Sequence, residues 1–359
     1  MNEQWAQARR VLVMRLDNIG DVVMTSPVLR ALKENLPASH LTLMASPGGS
    51  KAAPLLPWVD GVLPWRVLWQ DLGRLPHDPA REWELIEVLR KGSYDGVIIL
   101  TSFKQTPHAA AYACYLAGIP LRLGESKEWG GGVLTDEAPP TPDELHQAER
   151  NLCLIEHTGF RVEDRALGIR VPEEAREETA ALLRKHGVAP GTPYLLLCPW
   201  TSCQARTYAP DRFARAARRL SDETGWPVVV SGTETDRACS GGLFGVLDRR
   251  GVDLVGATDL SALAALVEGA RLVLTNNTST MHLADALRTP AVVLFSGTEL
   301  EEQWRPRHTP HRLLRRETWC SPCYAFTCPY GLECLDIPPE EVAQAGRSLL
   351  TEEVRRRGG

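Results

Sequence analysis

The feature that most constrains this chain is a repeated unit: a short apolar run, a turn, then a stretch with helical spacing. Val11 to Leu16 is apolar up to Arg15 and is bounded by Asp17-Asn18-Ile19-Gly20, which predicts a buried strand. Val28, Leu29, Ala31 and Leu32 follow at helical spacing, and Pro37 ends that helix. Leu41 to Ala45 and Gly96 to Leu100 are the next strands, and Pro107 to Ala117 and Asp143 to His157 the next helices. The alternation restarts with strands at Tyr194 to Cys198, Pro227 to Val230, Asp253 to Val255, Leu272 to Thr275 and Ala291 to Phe295. Helices at Asp211 to Thr224 and Leu260 to Gly269 separate them. Runs that are apolar throughout are strands covered on both faces, and the helices between them are the crossovers of parallel sheets.

A chain of 359 residues is long for one such core and comfortable for two. The expected class is α/β, with two Rossmann-like, doubly wound parallel-sheet lobes facing a cleft. The N-terminal lobe spans 1–170. A hinge region follows at 171–193, with Pro172, Pro190, Gly191 and Pro193 around one charged helix. The C-terminal lobe spans 194–337, and a polar helix occupies 338–359. The net charge of -5 argues against a dedicated nucleic-acid binder, and the basic cluster Arg312, Arg315 and Arg316 is expected on a solvated face. No apolar run is long enough to cross a bilayer, and the N-terminus is polar and then basic, so a cytoplasmic location is expected. Nine cysteines, an odd count, then read as free thiols or ligands rather than a disulfide framework.

Ligands of open parallel sheets bind beyond the carboxyl ends of the strands, which directs attention to three loops. The first, Arg15 to Asp21, lacks the G-x-G-x-x-G of a dinucleotide site and keeps only Gly20, which suits a tight backbone turn. Asp21 falls at a helix start, where an aspartate is either a cap or an ionised general base. The second loop, Cys198 to Arg206, offers Thr201, Ser202 and the charge of Arg206 to a diphosphate, although a surface loop with a routine arginine looks the same. In the third, the strand ending at Thr275 runs into Asn276-Asn277-Thr278-Ser279-Thr280-Met281-His282. Unpaired N–H groups at such a helix start form an anion site.

These loops, the stretch Leu145-His-Gln-Ala-Glu-Arg-Asn-Leu152, and the tail Cys320-Ser-Pro-Cys-Tyr-Ala-Phe-Thr-Cys328 resemble the heptosyltransferase-like inverting glycosyltransferases, glycosyltransferase family nine. The resemblance covers nearly the whole chain and implies the GT-B fold. It implies Asp21 as general base, and donor binding by Thr201, Ser202, Arg206, Asn277, Thr278, Ser279, Thr280 and His282. It also implies that Asp236 contacts the donor ribose, and that the last helix crosses back onto the first lobe. The family's Asp-Thr-Gly before the histidine is Asn277-Thr278-Ser279 here, so a carboxylate beside the diphosphate is missing.

The implied reaction moves a heptose or related sugar from a nucleoside-diphosphate sugar, of the ADP-heptose type, to a glycan, lipid-linked or small-molecule acceptor. Lipopolysaccharide biosynthesis is the implied setting, with peripheral contact at the inner membrane surface. The loops Ser46 to Lys51 and Thr101 to Pro107 are candidates for the acceptor site. No cofactor is required. The two metals the reading allows are a Mg ion on the donor diphosphate and a structural metal at Cys320, Cys323, Cys328 and Cys334, whose C-x2-C-x4-C-x5-C spacing departs from paired C-x-x-C knuckles. A structural role for these thiols without metal is favoured. Trp5, Trp58, Trp65, Trp69 and Trp83 fit ordinary packing better than an acceptor site or a membrane-facing patch. Two other readings stay open: a sugar-nucleotide epimerase of the same fold, and a non-catalytic sugar-nucleotide binder.

Overall fold

The computed structural model describes residues 2–358, with side chains for residues 2–352. The chain divides into two compact units, Met1–Gly168 and Ile169–Gly359. The first holds β1 (Arg10–Arg15), β2 (His40–Ala45), β3 (Gly61–Pro64), β4 (Gly96–Ile99), β5 (Leu121–Glu125) and β6 (Asp136–Ala138). All pair in parallel, in the order β3-β2-β1-β4-β5-β6. Helices cross between the strands, as at Ser26–Asn35 and His108–Leu116. The central strands are apolar because both faces are covered: Leu12, Met14, Val97 and Ile99 pack with Leu85, Leu89, Ala110 and Cys114 on one face, and Val11, Val13 and Ile98, which alternate with them, are fully buried on the other. Trp5 is fully buried, and a Cβ on Gly96 would lie 2.6 Å from its ring, so the glycine makes room for the indole. Trp83, by contrast, is exposed.

The second unit repeats the plan. It holds β7 (Leu195–Cys198), β8 (Val228–Val230), β9 (Gly251–Asp253), β10 (Leu272–Asn276), β11 (Ala291–Leu294) and β12 (His311–Leu314). Their parallel order is β12-β11-β10-β7-β8-β9. The two doubly wound α/β sheets match the expected fold class. The residues read as a hinge include the helix Glu173–Lys185, which belongs to the second unit and joins it through the ion pair of Arg176 with Glu268, at 2.7 Å. The C-terminal helix Pro339–Gly358, expected to return to the first lobe, buries Val342, Ala345 and Leu349 in the core of the second. Its carboxylates also meet the basic cluster read as a solvated face: Arg316 Nη1 lies 3.0 Å from Glu341 Oε1, and Arg312 pairs with Glu352.

Most expected elements occur within a residue or two of their expected ends. One strand is displaced: Gly251–Asp253 is the strand, half-buried at the sheet edge, while the more apolar Leu254 and Val255 are buried just beyond it. β3, β5, β6 and β12 had no apolar run to announce them. β5 is buried throughout yet contains Arg122, Gly124 and Glu125, whose polar atoms find partners in the interior.

Candidate active site

In each sheet the strand order reverses between two central strands, β1 and β4 in one, β7 and β10 in the other. The loops leaving the carboxyl ends at such a reversal flank the ligand crevice of an open parallel sheet. The three loops singled out in the sequence all leave strands at these two points.

In the first unit, β1 ends on Arg15, whose side chain is fully buried. A buried guanidinium requires carboxylate partners, and Arg15 has two. Its Nη2 donates to Asp21 Oδ1 at 2.8 Å, and its Nε lies 3.1 Å from Asp17 Oδ2. Asp21 is the third residue of the helix Ile19–Val23, and its Oδ2 accepts the Asn18 N–H at 3.1 Å. It therefore caps the helix and faces a guanidinium at once, so the two readings of this residue are compatible. Gly20 lies inside the helix, buried, rather than at a turn of the loop. Burial pushes the Asp17 carboxyl up and the Asp21 charge adds to that, against the lowering by Arg15 and Gln105. For Arg15 burial works against the charge, but Asp17 and Asp21 outweigh it and hold the guanidinium protonated.

Both candidate acceptor loops close on this cluster. Ser102 Oγ accepts from Arg15 Nη2 at 2.8 Å, and Gln105 Nε2 donates to Asp17 Oδ1 at 2.5 Å. Ser46 Oγ donates to the Asp17 carbonyl at 2.6 Å and accepts the Gly49 N–H at 2.9 Å. A Cβ on Gly49 would stand 2.8 Å from that carbonyl, so the approach requires glycine. The stretch around Gln147 supports the site from behind: Gln147 Nε2 donates to the Thr101 carbonyl at 3.0 Å, and Arg150 pairs with Glu125 at 2.5 Å, both buried. Sequence reasoning enclosed Arg15, Asp17, Ser102 and Gln105 in its candidate loops but gave none of them a role. The available signal was Arg15 itself, a charge closing an apolar strand.

In the second unit, Asn276 at the end of β10 ties the neighbouring loop in place. Its Nδ2 donates to the Pro199 carbonyl at 2.7 Å, and its Oδ1 accepts the Tyr208 N–H at 3.0 Å. Within that loop the Thr201 hydroxyl accepts the Cys203 N–H at 3.0 Å and pairs with Thr207 Oγ1 at 2.8 Å, while Ser202 is exposed. Arg206 Nη2 donates to Glu299 Oε1 at 2.6 Å, and Asn277 Nδ2 lies 3.5 Å from Glu299 Oε2. Glu299, unmarked in the sequence reading, thus brings a carboxylate beside Asn277, where the resemblance implied one was missing. Thr278 is the N-cap of the helix Ser279–Leu287, with Ser279 half-exposed and Thr280 and His282 buried. Asp236 follows β8, where its Oδ2 accepts the Thr233 N–H at 2.7 Å and the Thr233 hydroxyl at 2.6 Å, capping a short 3-10 helix. Through Glu299 the structure brings Arg206 and Asn277 together, and it leaves Asp236 on the loop after β8.

The cysteine-rich tail packs under the Arg206 loop. Ala205 N–H donates to the Phe326 carbonyl at 3.0 Å, and Cys328 N–H donates to Gln204 Oε1 at 2.9 Å. Cys320, Cys323, Cys328 and Cys334 line one cavity of about 330 Å³ with Trp319 and Tyr330. Burial pushes the Cys334 thiol up, and the three neighbouring thiols add to it. Among the described residues no group of three or more His, Cys, Asp or Glu side chains is placed so that it could hold a metal ion. Among the described residues, too, no helix is long and apolar enough to cross a membrane.

The chain is similar to lipopolysaccharide heptosyltransferase 2 of Escherichia coli K12, with 24% identity over 362 residues, covering 96% of this chain and 99% of that one. Among solved structures, a family 9 glycosyl transferase from Veillonella parvula superposes with a TM-score of 0.78 at 22% identity, covering 96% of this chain and 97% of that chain. The Escherichia coli ADP-heptose lipopolysaccharide heptosyltransferase II superposes at 0.75 and 23% identity, covering 96% and 99%. These two likenesses establish the GT-B fold. The model of glycosyltransferase family 9 (heptosyltransferase) matches residues 82–333, a segment that begins after the Asp21 loop and includes the whole Arg206, Asn277 and Glu299 cluster. With most of its length matched, the chain belongs to glycosyltransferase family 9 and is a glycosyltransferase.

Proposed function

We propose that this glycosyltransferase moves a heptose or a related sugar from an ADP-heptose-type donor to a glycan or lipid-linked acceptor of the lipopolysaccharide-core kind, with inversion. The observation that carries the reading is the placement of Asp21. Its carboxylate is anchored through both oxygens at the strand-order reversal of the first sheet, with two candidate acceptor loops closed around it. In a single displacement Asp21 takes the acceptor hydroxyl proton as the oxygen attacks the anomeric carbon. The anomeric C–O bond breaks, and its electron pair leaves with the nucleoside diphosphate. Arg206, Ser202 and the helix start at Thr278 to Thr280 bear the developing charge. Thr201 shapes the loop that presents Ser202, Asn277 and His282 line the same helix start, and Asp236 is assigned to the ribose.

The donor assignment rests on the relatives, whose descriptions name ADP-heptose and lipopolysaccharide. A lipid-linked acceptor would place the enzyme peripherally at the cytoplasmic membrane face. The chemistry as proposed calls on no metal, and the four-cysteine tail is assigned a supporting role beneath the Arg206 loop. The test pairs wild type with Asp21→Asn, using ADP-heptose and candidate acceptors. Donor binding should be retained while turnover falls about 10²-fold or more. Full turnover by the variant would remove Asp21 as the base. An isomerised donor would point to epimerisation, and binding without turnover to a sugar-nucleotide binder.

A further inference from the structure

We propose that Asp17, acting through Arg15, is a positioning residue that sets both the orientation and the basicity of Asp21. The inference rests on Asp21 being the base.

Arg15 is fully buried and holds two carboxylates, Asp21 at 2.8 Å and Asp17 at 3.1 Å. A guanidinium paired with one aspartate stabilises the ionised form and makes that aspartate a poor base. The second carboxylate changes this. With both aspartates ionised, the cluster carries one net negative charge. Taking a proton from the acceptor hydroxyl then brings a buried site to neutrality. Without Asp17 the same transfer would leave a net positive charge in the interior, which costs more. Asp17 thus shares the Arg15 charge and keeps Asp21 able to accept a proton.

The orientation is fixed by a closed ring of contacts. Gln105 Nε2 donates to Asp17, Gln105 Oε1 accepts the Ser102 N–H at 2.9 Å, and Ser102 Oγ accepts from the Arg15 nitrogen that serves Asp21. The Asp17 carbonyl is held independently by Ser46. Beyond this ring, Arg150 bears on Arg15 and is itself paired with Glu125 and influenced by Asp143. Lys104 lies in the same loop as Ser102 and Gln105, near the ring of Phe103.

The experiment compares Asp17→Asn, Gln105→Met and Asp21→Asn with wild type, measuring kcat, donor KM and the pH profile of kcat. Asp17→Asn keeps the shape and removes the charge. The acid limb of its profile should move to lower pH by about one unit. Its plateau kcat should fall about 10-fold or more, with donor KM unchanged. Gln105→Met leaves every charge in place and loosens Asp17. It should lower kcat several-fold without moving donor KM. An unchanged kcat and acid limb in Asp17→Asn overturns the proposal, and so does a lower kcat with an unshifted limb. If Asp17→Asn does not fold, a wild-type kcat in Gln105→Met overturns it. Wild-type turnover in Asp21→Asn would instead sink the base assignment on which the proposal stands.

Discussion

Arg206 reaches across from the loop after β7 to Glu299, which follows β11, with Nη2 and Oε1 2.6 Å apart. The pair brings a cation to the start of the helix Ser279–Leu287 and a carboxylate to Asn277 in one contact. It also means that the guanidinium assigned to the donor diphosphate is already held in one orientation, with part of its fork engaged.

Removing that guanidinium should weaken the donor specifically. Arg206→Ala loses a charge-assisted contact to phosphate of about 1.5–3 kcal/mol, which corresponds to about 10- to 150-fold weaker binding of ADP. Calorimetric titration with ADP checks it. An unchanged affinity would show that Arg206 serves Glu299 alone.

The thiols should divide by burial. Burial pushes Cys114 and Cys198 up to about 12, so neither presents a thiolate at neutral pH. Cys239 and Cys323 are exposed. Alkylation of the native protein at pH 7.5, followed by peptide mass analysis, should label Cys239 and Cys323 and spare Cys114 and Cys198 until the chain is unfolded. Early labelling of Cys198 would mean that β7 is not the covered central strand described above.

Asp60 gives a pH dependence whose sign follows from its contacts. Its Oδ2 accepts from Lys33 Nζ at 2.6 Å and from the Leu41 N–H at 2.7 Å. Burial raises this carboxyl, but the bonds from Lys33 and Leu41 outweigh it and hold it below the usual aspartate range. A depressed carboxyl contributes its stabilisation fully above the unfolded value, roughly pH 4, and loses it as pH falls toward the folded one. Asp60→Asn should therefore lower Tm at pH 6–7, and its gap to wild type should close as the pH falls through 4 to 3. A gap that stays constant down to pH 3 would assign the effect to shape rather than charge.

The candidate site was legible wherever its signal was local. An aspartate at a helix start, Thr278 to Thr280 opening a helix, and an arginine in a loop after a strand are all patterns of neighbouring residues, and each lies where its pattern placed it. The partners that give them meaning were not legible. Asp21 depends on Ser102 through Arg15, and Arg206 on Glu299, across separations of 81 and 93 residues that no local pattern spans.

The sequence by itself determined the architecture. Continuous apolar runs at β1, β2, β4, β7, β10 and β11 leave no solvated face, so they had to become covered parallel strands with helical crossovers. Only the tertiary structure decided three further things. It recruited β5 and β12, whose charged residues find partners in Glu352, in Arg150 and in backbone carbonyls. It gave the C-terminal helix to the second core, because Val342, Ala345 and Leu349 form a stripe too sparse to read until Leu220 and Leu272 lie beneath it. It also placed Asp17 on Arg15 beside Asp21. The physical reason is common to all three: a buried charge or a thin apolar stripe is stable only against a particular partner, and the fold, not the local sequence, brings that partner within reach.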